Sequence, residues 1–264
     1  MQIKQYVIDA FTPVPFHGNP AAVCLLPHWL ADSLLQQIAA ENNLAETAFL
    51  VRAGERWQLR WFTPLVEIEL CGHATLASAF VLAGHLPDRK EFRFSTQSGE
   101  LIVTREGELF TLDFPERTLQ QIDAQHAVSA ILGQPVQTVL LAAKTWIAVL
   151  ANATSVRQLQ PDFAAIKQLE CRGLIITARG DDCDFVSRFF APKMGIDEDP
   201  VTGSAHCGLV PYWSAVLGKT RLHARQLSPR GGELFCEYRQ PRVLISGHAV
   251  QFASGHIEVP DTSL

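Results

Sequence analysis

The sequence predicts an α+β protein of two pseudo-symmetric halves, each a curled β-sheet or barrel wrapped round a central helix. Three observations carry this expectation: an internal repeat at about half the chain length, an apolar helix after each copy, and short strands flanking both. Residues 60–64 read Arg-Trp-Phe-Thr-Pro and residues 188–192 read Arg-Phe-Phe-Ala-Pro, an offset of 128 in a chain of 264 residues. The register continues through Ile68/Ile196 and Glu69/Asp197. After a short insertion in the second copy, Cys71-Gly72-His73-Ala74 faces Thr202-Gly203-Ser204-Ala205. Duplicated folds tend to hold a ligand where the copies meet, so an active site is expected in the interdomain cleft.

Taken in order, the chain should open with strands at Gln2–Asp9 and Ala22–Leu26, apolar runs bounded by turn residues. An amphipathic helix follows between residues 28 and 44, starting near Ala31 or Asp32, because Leu34, Leu35, Ile38 and Ala39 recur at helical spacing. Thr47–Val51 and Trp57–Phe62 read as strands, the second half-buried from its alternation. HATLASAFVLAGHL is helical from its Ala and Leu content, and buried because it is apolar nearly all round. Phe92–Ser95 and Leu101–Glu106 follow, and Phe114-Pro115-Glu116-Arg117 ends a strand near the crossover. The second half repeats the plan with strands at Val136–Leu141, Trp146–Leu150, Gly173–Thr177, Phe185–Phe190 and Val243–Gly247. Its outer helix is Pro161–Leu169, with Pro161 suited to a first helical position. Its buried helix is SAHCGLVPYWSAVLG, kinked or restricted by Pro211. The expected domains are residues 1–118, joined by a C-terminal strand at about 250–264, and residues 119–250.

Composition narrows the function classes. A net charge of −5 with scattered Lys and Arg offers no footprint for nucleic acid. The longest apolar candidate, Val136 to Leu150, is broken by Lys144 and is too short for a bilayer, and the start of the chain lacks the basic, apolar pattern of a secretory signal. No membrane partner is expected, and a cytoplasmic location is. Six cysteines without a Cys-x-x-Cys pair read as reduced thiols in the core. The nine histidines show no metal-ligand spacing, Gly218-Lys219-Thr220 has Trp213 where a phosphate loop needs its first glycine, and no dinucleotide fingerprint is present. No metal and no cofactor are expected.

Several residues can carry chemistry. Gly72 and Gly203 each precede a buried helix whose first amides lack internal partners, which suits an anion such as a carboxylate. Glu46 lies between Leu44-Ala45 and Ala48-Phe49, where loss of water would favour its protonated form and suit a general acid/base; alternatively it caps a helix exit or faces solvent. His73 can polarise an oxygen, hold a carboxylate or relay a proton, or else cap its helix. Asp199 can orient His73 or a substrate, or cap the turn before Pro200. Ser204 offers a hydroxyl and an amide, and is also a common helix starter. Asn19 is a further candidate.

Asp9-Ala10-Phe11-Thr12, Gly18-Asn19-Pro20-Ala21, Asn43-Leu44-Ala45-Glu46-Thr47-Ala48-Phe49, Cys71-Gly72-His73-Ala74-Thr75 and Glu198-Asp199-Pro200-Val201-Thr202-Gly203-Ser204-Ala205 occur in that order. Together they resemble, across essentially the whole chain, the PhzF-like isomerases of the diaminopimelate epimerase superfold. The resemblance implies a cofactor-independent isomerase in which Glu46 moves the proton, His73 and Asp199 assist, and Gly72, Gly203, Ser204 and Asn19 hold the substrate. It also implies a small anionic metabolite as ligand and a homodimer. Racemases of the same superfold use two facing thiols. Here Cys71 stands opposite Thr202, with Cys207 further into the helix, so Cys71 reads as a relic or core residue. The alternatives are an amino- or hydroxy-acid racemase using Cys71, and a non-catalytic metabolite-binding protein.

Overall fold

The computed structural model describes residues 1–260, so the last residues of the strand expected at about 250–264 lie outside the described residues. The chain forms two units, Met1–Asp113 with the chain from Ser246 onward, and Phe114–Ile245. The first unit contains β1 (Gln2–Ala10), β2 (Asn19–Leu26), α1 (Asp32–Asn42), β3 (Glu46–Ala53), β4 (Arg56–Phe62), β5 (Glu67–Ile68), α2 (Gly72–His85), β6 (Glu91–Thr96), β7 (Gly99–Glu106) and most of β8 (Leu109–Pro115). The second contains β9 (Leu119–Ile122), α3 (Gln125–Leu132), β10 (Thr138–Ala142), β11 (Thr145–Val149), α4 (Ala153–Gln158), α5 (Phe163–Gln168), β12 (Gly173–Arg179), β13 (Phe185–Ala191), β14 (Ile196–Asp199), α6 (Gly203–Leu217), β15 (Arg221–Gln226), β16 (Gly232–Arg239) and most of β17 (Arg242–Gly247). β18 (Ala249–Glu258) belongs to the first unit. The expected boundaries are residues 118, where Phe114-Pro115-Glu116-Arg117 ends a strand, and about 250; the units divide at Asp113/Phe114 and Ile245/Ser246, inside β8 and β17.

Strand pairing shows the duplication step by step. In the first unit β18/β1 and β1/β2 are antiparallel, β2/β3 parallel, β3/β4 and β4/β5 antiparallel, β4/β6 parallel and β6/β7 antiparallel. In the second, β9/β10, β10/β11, β11/β12, β12/β13, β13/β14, β13/β15 and β15/β16 repeat the same senses in the same order. The repeated arginines explain why the motif is kept. Arg60 grips Glu67 with Nε and Nη2 at 2.7 Å each, and Arg188 grips Glu198 with the same atoms at 2.7 and 2.9 Å. Two parallel charge-assisted bonds fix an orientation as well as a distance. Each fork ties a very short strand, β5 or β14, to its long neighbour, and each short strand leads into the central helix.

The central helices are buried as their all-round apolarity requires. β1, β2, β3, β7 and β18 all pack on α2, so the sheet curls round it. Within α2, Thr75 Oγ1 donates to the Cys71 carbonyl at 2.5 Å and Ser78 Oγ to that of Ala74 at 2.7 Å, which satisfies two hydroxyls without leaving the helix. α6 runs unbroken through Pro211. At Gly208 a methyl group would sit 3.2 Å from Ile147 and 3.4 Å from Ala142 and Leu119, so the helix backbone lies close against β9, β10 and β11. Trp213 stacks on Phe185 and donates Nε1 to Thr177 Oγ1 at 3.0 Å. α1 lies outside the first sheet, burying Leu35, Ile38 and Ala39 against Phe49 and Phe62.

Some local expectations need correction. Pro161 is not the first residue of α5; Asp162 is its cap, with Oδ1 accepting from Ala165 N at 2.9 Å, and this leaves Pro161 outside the helix. α3 and α4 add to the outer layer, α4 capped by Asn152. β15 escaped the sequence reading because Arg221, His223 and Arg225 alternate with its buried Leu222, Ala224 and Gln226. Among the described residues no helix is long and apolar enough to cross a membrane.

Gly18 closes the loop that delivers Asn19 to β2. Its φ is +67°, and a Cβ there would lie 2.2 Å from the Ala10 carbonyl oxygen. Gly54 has a similar φ of +64° with nothing within 4 Å. Gly54→Ala is therefore expected to cost only the left-handed penalty of about 1 kcal/mol, and Gly18→Ala at least ~2 kcal/mol more, in denaturant unfolding. Equal costs would mean that the loop yields freely.

Candidate active site

The first unit gathers three of the expected residues through its parallel β2/β3 step. Asn19 is the first residue of β2 and Glu46 the first of β3, and the register pairs Glu46 with Ala21. Asn43 ends α1 in the left-handed region at φ 48°, which turns the chain into β3. Gly72 and His73 open α2. Two strand starts and a helix start therefore meet. Glu46 is neither a helix cap nor exposed: it is 8% exposed, and its Oε2 lies 3.0 Å from His73 Nε2. The two atoms are close but poorly aligned, so Oε2 remains a buried acceptor without a hydrogen bond.

The His73 ring is held on its other side as well. Its Nδ1 lies 3.2 Å from Asn19 Nδ2 and 3.5 Å from Cys71 Sγ. An asparagine amide serves either protonation state: its nitrogen donates to a bare Nδ1 and, turned over, its oxygen accepts from Nδ1–H. Burial alone pulls His73 down, yet the Cys71 sulfur and the Glu46 carboxylate outweigh it and raise the imidazole well above its ordinary value. Burial, reinforced by Glu46, pushes the Cys71 thiol up and keeps it protonated.

The second unit places Asp199 at the end of β14 and Gly203 and Ser204 at the start of α6. The Asp199 carboxylate accepts from Thr202 Oγ1 at 2.5 Å, the turn-capping role that the sequence left open. Gln226 clamps the same turn: its Oε1 accepts from Thr202 N at 2.9 Å, and its Nε2 donates to the Asp199 carbonyl at 2.8 Å. Ser228 Oγ donates to the Pro200 carbonyl at 2.8 Å. His206 Nδ1 donates to the Thr202 carbonyl at 2.9 Å, and complete burial lowers its pKa to about 4. Gln226 gave no sequence signal, because only the β15 pairing brings it to this turn. Cys71 is the extended N-cap residue of α2, two positions before His73, and its Sγ lies beside the ring.

Known proteins share this architecture. The sequence model of a family described as phenazine biosynthesis-like protein matches residues 8–255. A relative from Pseudomonas aeruginosa, named an uncharacterized isomerase, is 52% identical over 260 residues, which cover 98% of this chain and 100% of its own. The crystal structure of a PhzF family protein from Enterococcus faecalis superposes with a TM-score of 0.96 at 47% identity, over 98% of this chain and 100% of that one. A probable proline racemase from Agrobacterium radiobacter matches with a TM-score of 0.63 over 99% and 94% of the two chains, at 10% identity, which is a likeness of fold.

His73 gives a direct test of the site's electrostatics. Its folded value lies above the ordinary one, so its contribution to stability is complete below about pH 6.5 and fades as pH rises through the folded value. In a histidine NMR titration, His73 is expected to titrate above the ordinary imidazole value of about 6.5, and Glu46→Gln should move it downward. A His73 that titrates at or below that ordinary value would refute the assigned balance.

Proposed function

The chain belongs to the phenazine biosynthesis-like family, and on that premise we propose that it is an isomerase that moves a proton between carbons of a small carboxylate-bearing metabolite, with Glu46 as the single acid/base. The observation that supports the reading is the buried Glu46–His73 pair, with Oε2 3.0 Å from Nε2 and making no hydrogen bond. In its carboxylate form Glu46 takes a proton from one carbon. Protonated His73 holds positive charge beside it before and after the transfer, and Asn19 steadies the ring. The same carboxyl then returns the proton to another carbon. Such a step asks of the protein a positioned base and fixed charges. Gly72, Asp199, Gly203 and Ser204 keep in this reading the roles that the family resemblance gives them, and a homodimer is its working assembly.

One observation favours a second reading. Cys71 Sγ lies beside the pair, 3.5 Å from His73 Nδ1, where it could serve as a base in a racemase.

Wild type, Glu46→Gln and Cys71→Ser should be incubated in heavy water with a cell metabolite extract, and deuterium uptake followed by mass spectrometry. A small acid labelled by wild type and by Cys71→Ser, but at least roughly a hundredfold more slowly by Glu46→Gln, is the expected result. Loss of labelling in Cys71→Ser selects the racemase, and binding of an acid without any labelling selects a metabolite-binding protein.

A further inference from the structure

Glu46, Cys71 and His73 bring an oxygen, a sulfur and a nitrogen within 4.8 Å of one another. Among the described residues no other group of three His, Cys, Asp or Glu side chains converges in this way. The three are 8%, 6% and 5% exposed. We propose that they form a binding site for a thiophilic divalent cation, zinc first among them, and that the bound ion switches proton transfer off. The consequence for turnover rests on Glu46 being the base; the site itself does not.

The donor set selects the metal. One sulfur, one imidazole and one carboxylate suit zinc, with its tetrahedral preference, whereas magnesium and calcium require oxygen ligands. Zinc bonds of about 2.0–2.3 Å in a tetrahedron place donors about 3.3–3.6 Å apart. The observed separations straddle that: Nε2 to Oε2 is 3.0 Å and Sγ to Nε2 is 4.0 Å. Small side-chain rotations close the difference. The charges also balance, since one carboxylate, one thiolate and one neutral imidazole offset a dication in a buried place. On binding, the thiol and the imidazolium each release a proton to solvent. Asn19 at Nδ1 then orients the ring so that Nε2 faces the ion, as partners of metal-bound histidines do. A second observation points to a ligand: Glu46 Oε2 is a buried acceptor with no hydrogen bond, on the side of the carboxyl nearest His73. Once its lone pairs are on a metal, Glu46 cannot accept a proton from carbon.

Cobalt(II) reports such a site without any turnover. Titrated into the protein, it should raise a thiolate-to-cobalt absorption band that saturates at one equivalent and is displaced by zinc. Cys71→Ser should abolish the band and weaken zinc binding at least ~10-fold. Glu46→Gln should weaken zinc binding while keeping the band, which covers the case in which Cys71→Ser does not fold. Cys183→Ser, at the half-buried cysteine outside the cluster, should change neither. Zinc affinity unchanged in Cys71→Ser, a band lost in Cys183→Ser, or no band at all would overturn the site. Because the band reads occupancy alone, a failure of the isomerase reading leaves it intact. Labelling lost in Glu46→Gln together with no band would overturn the metal site only.

Discussion

The controlling constraint is that each unit has to cover an apolar helix, α2 along almost its whole length and α6 through Ser214, with Ala215 and Val216 left in water. A helix without a polar face cannot lie on a sheet's surface; the sheet has to curl until it leaves little of the helix in water. A curled sheet that contains parallel steps needs crossovers, and these fix where element starts fall. In the first unit the β2/β3 step brings Asn19 and Glu46 together at the start of α2, so the polar cluster follows from the way the apolar helix is wrapped.

That cluster is expensive to assemble. A buried carboxylate, imidazole, amide and thiol lose water together, and a buried ion pair recovers the cost only with good geometry. The Glu46–His73 contact has the distance without the alignment. By contrast, the Arg60–Glu67 and Arg188–Glu198 forks are aligned and bidentate, with no acceptor left over. The forks have the geometry of structural pairs. Glu46 and His73 have that of groups kept ready for something else.

Much of this was legible in the sequence. The Arg-Trp-Phe-Thr-Pro and Arg-Phe-Phe-Ala-Pro segments gave the duplication because their arginines do the same work in both units, and the two helices were readable from apolarity alone. What stayed hidden depends on partners distant in the chain. In β15 the charged residues that face outward hide the alternation of its buried ones, and Gln226 acquires its clamp only by pairing. The apolar neighbours of Glu46 in sequence point to its burial, and only the family resemblance puts His73 in the same site; the contact itself is made by folding. Chain neighbours report burial well and through-space partners poorly.

The paired forks also let one repeated plan carry two different first turns. Each fork secures the short strand that leads into a central helix, so the scaffold holds whatever occupies the first turn. In one unit that turn carries Cys71, Gly72 and His73, and in the other Thr202, Gly203 and Ser204. In the first copy that turn holds titratable groups directly, whereas in the second it presents hydroxyls and leaves the titratable groups, Asp199 and His206, to brace it from either side.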